Sequence, residues 1–274
     1  MSMKERNMKY HPIKLTNQTV LITGATAGIG EACAWRFANE GCKLILVGRR
    51  EDRLIRLQNE LKTEYVGLQV HIESLSVSDM DKVKSLPERL PDEYKEVDIL
   101  VNNAGLALGV HAVDDTNIED AQTMMDTNVM GIVAMCAAFI PGMKDRGHGH
   151  VINMGSIAGH VPYPNGSVYG ASKYAVKCFT HAARYDLVGT PIRVTHMSPG
   201  MVGSTEFSNV RLRDDAKAAS VYENVKPLEP EDVADCVIYA ATRPAHVQIA
   251  EMITLATNQA SPRDVARVGL GLGR

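Results

Sequence analysis

The sequence predicts an α/β fold, a single doubly wound parallel sheet of about seven strands with helices on both faces. Two observations predict it. Short β-branched runs alternate with longer helical stretches along the chain, the signature of successive strand–helix–strand crossovers. The runs are also apolar at neighbouring positions, as strands covered on both faces require. Right-handed crossovers then leave few topologies open. The 274 residues suit one such domain better than two. Residues 19–274 are expected to form it, with residues 1–18 as an N-terminal extension.

The first strand is Thr19-Val-Leu-Ile-Thr23, and Thr23-Gly24-Ala25-Thr26-Ala27-Gly28-Ile29-Gly30 turns it into a helix over 29–40. The second, Lys43-Leu-Ile-Leu-Val47, leads through Gly48, Arg49 and Arg50 to a helix over 50–63. Leu68-Gln-Val-His-Ile72 and Val97-Asp-Ile-Leu-Val101 are the third and fourth, with a helix over 79–90 between them. A long helix over 118–143 follows, and its apolar run from Val129 to Ile140 reads as buried and ended by Pro141-Gly142. His150-Val-Ile-Asn-Met154 is the fifth strand, followed by a helix over 169–188 and a sixth strand, Ile192-Arg-Val-Thr-His196. A helix over 231–242 and Met252-Ile-Thr-Leu255 complete the alternation. Residues 203–226 hold Asp, Lys, Ser and Asn between two ordered regions and read as a mobile lid.

Composition narrows the function classes. Apolar residues make up 45% and charged residues 22% of the chain, the ordinary values for a globular protein. The net charge of −3 speaks against a nucleic-acid partner, which calls for a basic surplus or stripe. The run from Val129 to Ile140 is too short to cross a bilayer of about 30 Å, so no membrane partner is expected. Residues 1–18 lack the apolar core of a secretory signal, and Glu5 and the scarcity of serine fit a transit peptide poorly. Cys33, Cys42, Cys136, Cys178 and Cys236 are scattered and odd in number, which suits reduced, mostly buried thiols and a cytoplasmic location. His148 and His150 stand in Arg-Gly-His-Gly-His with no ligand cluster at metal spacing, so they read as a solvated turn and no metal is expected. Met124, Met125, Met130 and Met135 read as core or interface filler along one helix.

The chemistry lies in four segments that directly follow strands one, four, five and six. In an open parallel sheet, ligands bind beyond the carboxyl ends of the strands, so these segments converge on one cleft. The Gly-rich turn lets the backbone approach a phosphate closely, and the helix N-terminus behind it offers unpaired N–H groups and partial positive charge. Its spacing is GxxxGxG and not GxGxxG, and a tight turn with no ligand is the alternative. A dinucleotide site for NAD usually carries an acidic residue at the end of the second strand. Here Gly48, Arg49 and Arg50 stand there, and an arginine can pair with a 2′-phosphate. NADP(H) is therefore expected. The alternative is solvated arginines, or partners for Glu51 and Asp52. Tyr169 and Lys173 lie one turn apart on a helix and share a face. A free tyrosine titrates near 10, and bringing it to about 7 takes roughly 4 kcal/mol. A nearby ammonium supplies part of that. Ser156, after the fifth strand, can sit opposite the phenol and steady a substrate oxygen.

These motifs together resemble the short-chain dehydrogenase/reductase family, over nearly the whole chain. Thr23 to Gly30 is similar to its TGxxxGIG loop, and Asn102-Asn103-Ala104-Gly105 to its NNAG motif. Ser156 lies thirteen positions before Tyr169, as the family pattern has it. The resemblance implies a Rossmann-like fold and catalytic roles for Asn128, Ser156, Tyr169 and Lys173, with Asn128 helping to hold a relay water. It implies cofactor contacts at Gly24, Thr26, Ala27, Gly28, Ile29, Gly30, Arg49, Arg50, Ser76, Val77, Asn102 and Ala104. Tyr169, Lys173, Pro199, Gly200, Val202, Ser204 and Thr205 complete that set. Ser76-Val77 departs from the family's Asp-Val, and a weaker adenine contact is expected there. Pro199 to Arg211 and Thr257 to Pro262 resemble the NADP-dependent 3-hydroxy acid dehydrogenases, which act on L-allo-threonine, serine and related acids. Arg211 is then a carboxylate partner or a surface loop arginine. A broad NADPH-dependent carbonyl reductase and a non-enzymatic NADP-binding sensor share the motifs, though a sensor needs no phenol. The resemblance also implies a homo-oligomer, a tetramer or dimer, through the helices over 118–143 and 169–188.

Overall fold

Each β-branched run becomes a strand because both of its faces find apolar partners. In the computed structural model, which describes residues 12–267, the strands are β1 (Thr19–Thr23), β2 (Lys43–Gly48), β3 (Val70–Ser74), β4 (Ile99–Asn102), β5 (Gly149–Met154), β6 (Ile192–Pro199) and β7 (Glu251–Thr254). They form one sheet in the order β3-β2-β1-β4-β5-β6-β7, with every pair parallel. The helices are α1 (Gly28–Asn39), α2 (Glu51–Glu64), α3 (Met80–Arg89), α4 (Ile118–Met125), α5 (Gly131–Arg146), α6 (Ser167–Asp186), α7 (Phe207–Leu212), α8 (Asp215–Ser220) and α9 (Pro230–Ala241).

Alternate strand residues feed two cores. Val20, Ile22, Leu44, Leu46 and Val101 pack against α1, α2 and α9. Their neighbours Leu21, Ile45, Val47, Leu100 and Val151 face the other way, against α3, α5 and α6. The fold class is therefore the expected Rossmann-like one. The strand order runs outward in both directions from β1 and β4, and a crevice opens at that switch point beyond their carboxyl ends.

Several elements differ from the sequence expectation. The third and fourth strands begin two residues later, at Val70 and Ile99, because Leu68 and Val97 are held in turns by Tyr65 and Lys95. Pro141 does not end its helix: α5 continues to Arg146 and stops at Gly147, whose φ of 75° is left-handed. Phe139 and Met143 are buried on either side of the proline, and their burial outweighs a penalty of about 3 kcal/mol for the missing hydrogen bond. Asp126–Met130 forms a π-turn between α4 and α5. The helical stretch Ile118–Arg146 spans 29 residues and is long and apolar enough to cross a bilayer by length and composition. Its apolar residues Ile132, Met135, Cys136 and Phe139 are instead spent on the core. His150 is no solvated turn residue. It lies buried within β5, with its Nε2 2.8 Å from Thr195 Oγ1, while His148 is exposed and meets Asp98 at 2.6 Å. Met130 is exposed, unlike the buried Met124 and Met135. All five cysteines are free, and burial pushes the thiols of Cys33, Cys42 and Cys136 up to about 12. Of the expected extension, residues 1–11 lie outside the described residues, and Leu15 is fully buried against the domain.

One contact fixes the lips of the crevice. Thr23 ends β1, and its hydroxyl accepts from the main-chain N–H groups of Asn103 and Ala104, both at 3.0 Å. Thr23→Val keeps the shape and strips the acceptor from both donors. At about 1–3 kcal/mol for each unsatisfied donor, the midpoint of thermal unfolding should fall by several degrees. An unchanged midpoint would mean that water takes the hydroxyl's place.

Candidate active site

The Gly-rich turn forms the floor of the cleft. Gly28 holds a φ of 57°, and a Cβ there would stand 3.0 Å from Thr205 Cγ2 on the opposite wall. Gly30 serves packing instead: its Cβ would meet Gly24 O at 2.2 Å. The N-cap residue Ala27 offers α1 no side-chain cap, so the first N–H groups of that helix stay free for an anion. Asn103 locks the turn from below, donating from Nδ2 to Thr23 O at 3.0 Å and Gly24 O at 3.3 Å.

On the next wall, Ser156 is buried after β5 and caps the following turn, its hydroxyl accepting from Ala158 N at 3.1 Å. It also lies beside the Tyr169 phenol and favours its ionised form. Lys173, one turn along α6, is buried and donates to Met154 O at 2.9 Å. Its Nζ lies 5.9 Å from the centroid of the Tyr169 ring. Desolvation pushes the phenol up to about 12, against the lowering influence of the Ser156 hydroxyl and the charge of Arg211. The same burial brings the Lys173 ammonium down to about 8. Lys173, expected to supply part of the lowering, turns its amine to the Met154 carbonyl, and the charge that lowers the phenol comes from Arg211. Asn128, on the π-turn, lies beneath these groups and outside the cleft wall. Its Oδ1 accepts from Leu106 N and its Nδ2 donates to Leu106 O, both at 2.8 Å, with Ser172 Oγ at 3.1 Å from Nδ2. The side chain therefore ties the β4 loop to α6.

The cleft has a volume of about 870 Å³. Of the expected cofactor contacts, Gly24, Thr26, Ala27, Gly28, Ile29, Arg49, Arg50, Ser76, Val77, Ala104, Pro199, Gly200, Val202 and Thr205 line it, as do Tyr169 and Lys173. Gly30, Asn102 and Ser204 do not line it. Asn102 is buried and donates to Asn153 Oδ1 at 2.9 Å, and it is its neighbour Asn103 that reaches the cleft. Ser204 is exposed in a left-handed conformation, with a φ of 52°.

Sequence reasoning did not single out Tyr163, Glu206, Arg263 and Arg267, which also line the cleft. The segment expected as a lid reaches the phenol ring: Phe207 lies edge-on to Tyr169, 5.6 Å between centroids. Arg211, one turn along α7, is half-buried, with its guanidinium 5.7 Å from the Tyr169 ring centroid and 5.5 Å from that of Tyr163. Arg263 approaches the far end of the same ring, 5.4 Å from the Tyr163 centroid. Among the described residues, the lining holds Arg49, Arg50, Arg211, Arg263, Arg267 and Lys173 against a single carboxylate, Glu206. A chain of net charge −3 thus carries a cationic cleft, which focuses field on anionic ligands.

Behind the wall that carries Ser156, sequence reasoning missed a histidine cluster. Glu251 on β7 meets His196 Nδ1 at 2.9 Å and His160 Nε2 at 3.1 Å. The ligand atoms of these three residues lie within 4.8 Å of one another. The Lys177 ammonium, 2.8 Å from His160 Nδ1, opposes a second cation there. Desolvation lowers His160 and His196, which favours their neutral forms. The cluster joins the Ser156 loop to β6, since His160 Nε2 also reaches Ser198 Oγ at 3.0 Å.

Comparison with known proteins places this geometry among relatives. The family model described as short chain dehydrogenase matches residues 18–216. The NADP-dependent 3-hydroxy acid dehydrogenase of Escherichia coli (strain K12) is 49% identical over 231 residues, 84% of this chain and 91% of that protein. Sulfoacetaldehyde reductase 2 of Chromohalobacter salexigens is 46% identical over 243 residues, 88% of this chain and 95% of that protein. Among solved structures, the closed form of serine dehydrogenase complexed with NADP+ matches with a TM-score of 0.85 and 47% identity. That match covers 89% of this chain and 96% of the other.

Asn128→Ala removes both partners of Leu106. Thermal melts should register a loss of about 1–3 kcal/mol, and turnover should fall more than dinucleotide affinity. Unchanged turnover with lowered stability would reduce Asn128 to a brace of the fold.

Proposed function

This chain belongs to the short-chain dehydrogenase family, and from that premise we propose that it transfers a hydride between NADP(H) and the hydroxyl or carbonyl carbon of a small 3-hydroxy acid. The observation that carries the reading is that Tyr169, Ser156 and Lys173 line one cleft, whose lining also gathers Arg49, Arg50, Arg211, Arg263 and Arg267. The Gly-rich turn and the uncapped start of α1 fit a pyrophosphate. Arg49 and Arg50 are assigned to a 2′-phosphate, Ser76, Val77 and Ala104 to the adenosine, and Pro199, Gly200, Val202 and Thr205 to the nicotinamide; that all of them line the cleft supports the assignment. The bound dinucleotide supplies the carbon that takes or gives the hydride.

The chain's own groups handle the proton. Tyr169 gives a proton to the substrate oxygen in reduction and takes one in oxidation. Ser156 donates to that oxygen and steadies its developing charge. Lys173 holds the ribose and contributes positive charge near the phenol. Asn128 keeps the loop after β4 and α6 in register, so that a relay water can be held between them. Residues 203–226, with α7 and α8, form the lid.

Arg211 and Arg263 are the anchors for the acid group. The names of the relatives fit that assignment: a 3-hydroxy acid carries a carboxylate and sulfoacetaldehyde a sulfonate. A broad-specificity NADPH-dependent carbonyl reductase is the second reading, favoured by the apolar Val110, Phe207, Val210 and Val221 on the cleft wall. Rates on L-allo-threonine and serine, set against a simple aromatic ketone, separate the two. We also infer a cytoplasmic homo-oligomer, tetramer or dimer, supported by exposed Ile118 and Met130 along the stretch from α4 to α5 and Tyr185 at the end of α6.

Tyr169→Phe should abolish turnover while NADPH titration stays close to wild type. Retained turnover would require another base. A phenol raised to about 12 is protonated at neutral pH, ready to donate. Its base form grows with pH, so kcat/KM for alcohol oxidation should climb between pH 7 and 9, by up to about tenfold per unit. Reduction should not rise over that range. A flat oxidation profile would remove the phenol as base.

A further inference from the structure

A carboxylate already stands where a second phosphate is expected. Glu206 immediately precedes α7, and each of its oxygens accepts from a different guanidinium. Oε2 takes Arg50 Nη1 at 2.7 Å, and Oε1 takes Arg53 Nη1 at 2.6 Å. The other end of the Arg50 fork, Nη2, donates to Thr26 Oγ1 in the Gly-rich turn at 3.0 Å. Arg50 is therefore shared between the turn and the lid. Among the described residues, Glu206 is the one carboxylate in the cleft lining. Against a desolvation that raises it, hydrogen bonds from Arg53 and Arg50 hold its carboxyl below the usual range, so it is anionic wherever the protein is assayed.

We infer that Glu206 is an internal competitor of the cofactor's 2′-phosphate for Arg50, and that it sets the NADP-over-NAD affinity ratio and the rate at which the phosphorylated cofactor leaves. This rests on the NADP(H) reading above. A guanidinium has a fixed fork of donors. A phosphate that reaches Arg50 either takes the donor now given to Glu206 or shares the fork and sets two anions side by side. Both routes oppose binding of the phosphorylated cofactor. Arg53 keeps the second Glu206 oxygen throughout, so the lid remains tethered while Arg50 changes partner. On release, Glu206 regains Arg50 and speeds the departure. A cofactor without the phosphate has no group to contest and leaves the pair intact.

The test is Glu206→Gln, which keeps the shape and removes the charge. Both partners are part-exposed, at 39% and 42%, so the effect is that of a screened surface pair. NADPH should bind about two- to fivefold tighter, NADP+ should dissociate more slowly by a similar factor in stopped flow, and NADH affinity should stay unchanged. The NADPH gain should shrink as salt is raised. A lid merely loosened by the substitution would alter both cofactors alike. Equal shifts, no shift, or weaker NADPH binding would each overturn the inference. Arg49→Asp and Arg50→Gln in parallel test the reading beneath it. If neither lowers NADPH affinity relative to NADH, the cofactor assignment itself falls. If either does and Glu206→Gln shows no NADPH-specific gain, only the role of Glu206 falls.

Discussion

The structure depends on one seam, where β1 and β4 lie side by side although half a sheet of sequence separates them. At its carboxyl end, Thr23 accepts from Asn103 N and Ala104 N, while Asn103 Nδ2 reaches back to Thr23 O and Gly24 O. Those bonds hold the Gly-rich turn and the segment after β4 a fixed distance apart. The crevice between them follows from strand order, but its width follows from this seam. Every other wall is positioned relative to it: β5 pairs with β4 and brings Ser156, and α6 packs against the Ser156 loop and brings Tyr169 and Lys173.

Burial then sets the character of the catalytic groups. The surroundings that keep the cleft ordered also desolvate the phenol and the ammonium, and both are pushed toward their neutral forms, to about 12 and about 8. A neutral tyrosine suits proton donation to a carbonyl. Proton removal from an alcohol needs added positive charge near the ring, and Arg211 already provides some from the lid. The segment 203–226 therefore takes part in the electrostatics of the centre.

Most of the fold was legible in the sequence because strands covered on both faces need continuous apolar runs, which survive in any context. The errors share a cause. Leu68 and Val97 are apolar yet sit in turns, and Pro141 sits inside a helix, because tertiary packing outweighed local preference in each case. The π-turn at Asn128 and the six-residue helices α7 and α8 have no periodicity long enough to read. The site was legible where its residues are neighbours in sequence, as with Tyr169 and Lys173 or the Gly-rich turn. Contacts between distant segments were not. Arg50 and Glu206 lie 156 residues apart, and Glu251 meets its histidines from the far edge strand.

The charge of the cleft illustrates the same limit and carries a functional consequence. A net charge of −3, taken over the whole chain, hid how cations are gathered. Arg49 and Arg50 follow β2, Arg211 comes from the lid, and Arg263 and Arg267 come from the segment after β7. Chain order disperses them, and the sheet reunites them at its carboxyl edge. Arg50 reaches the Gly-rich turn through Thr26, while Arg211 stands beside the Tyr169 ring. On the function proposed above, an anion held at each of these places would orient two reactants toward each other. An uncharged carbonyl compound would be held at one end only. That asymmetry favours a substrate with its own acid group, because anchoring remote from the reacting carbon supplies the orientation on which hydride transfer depends.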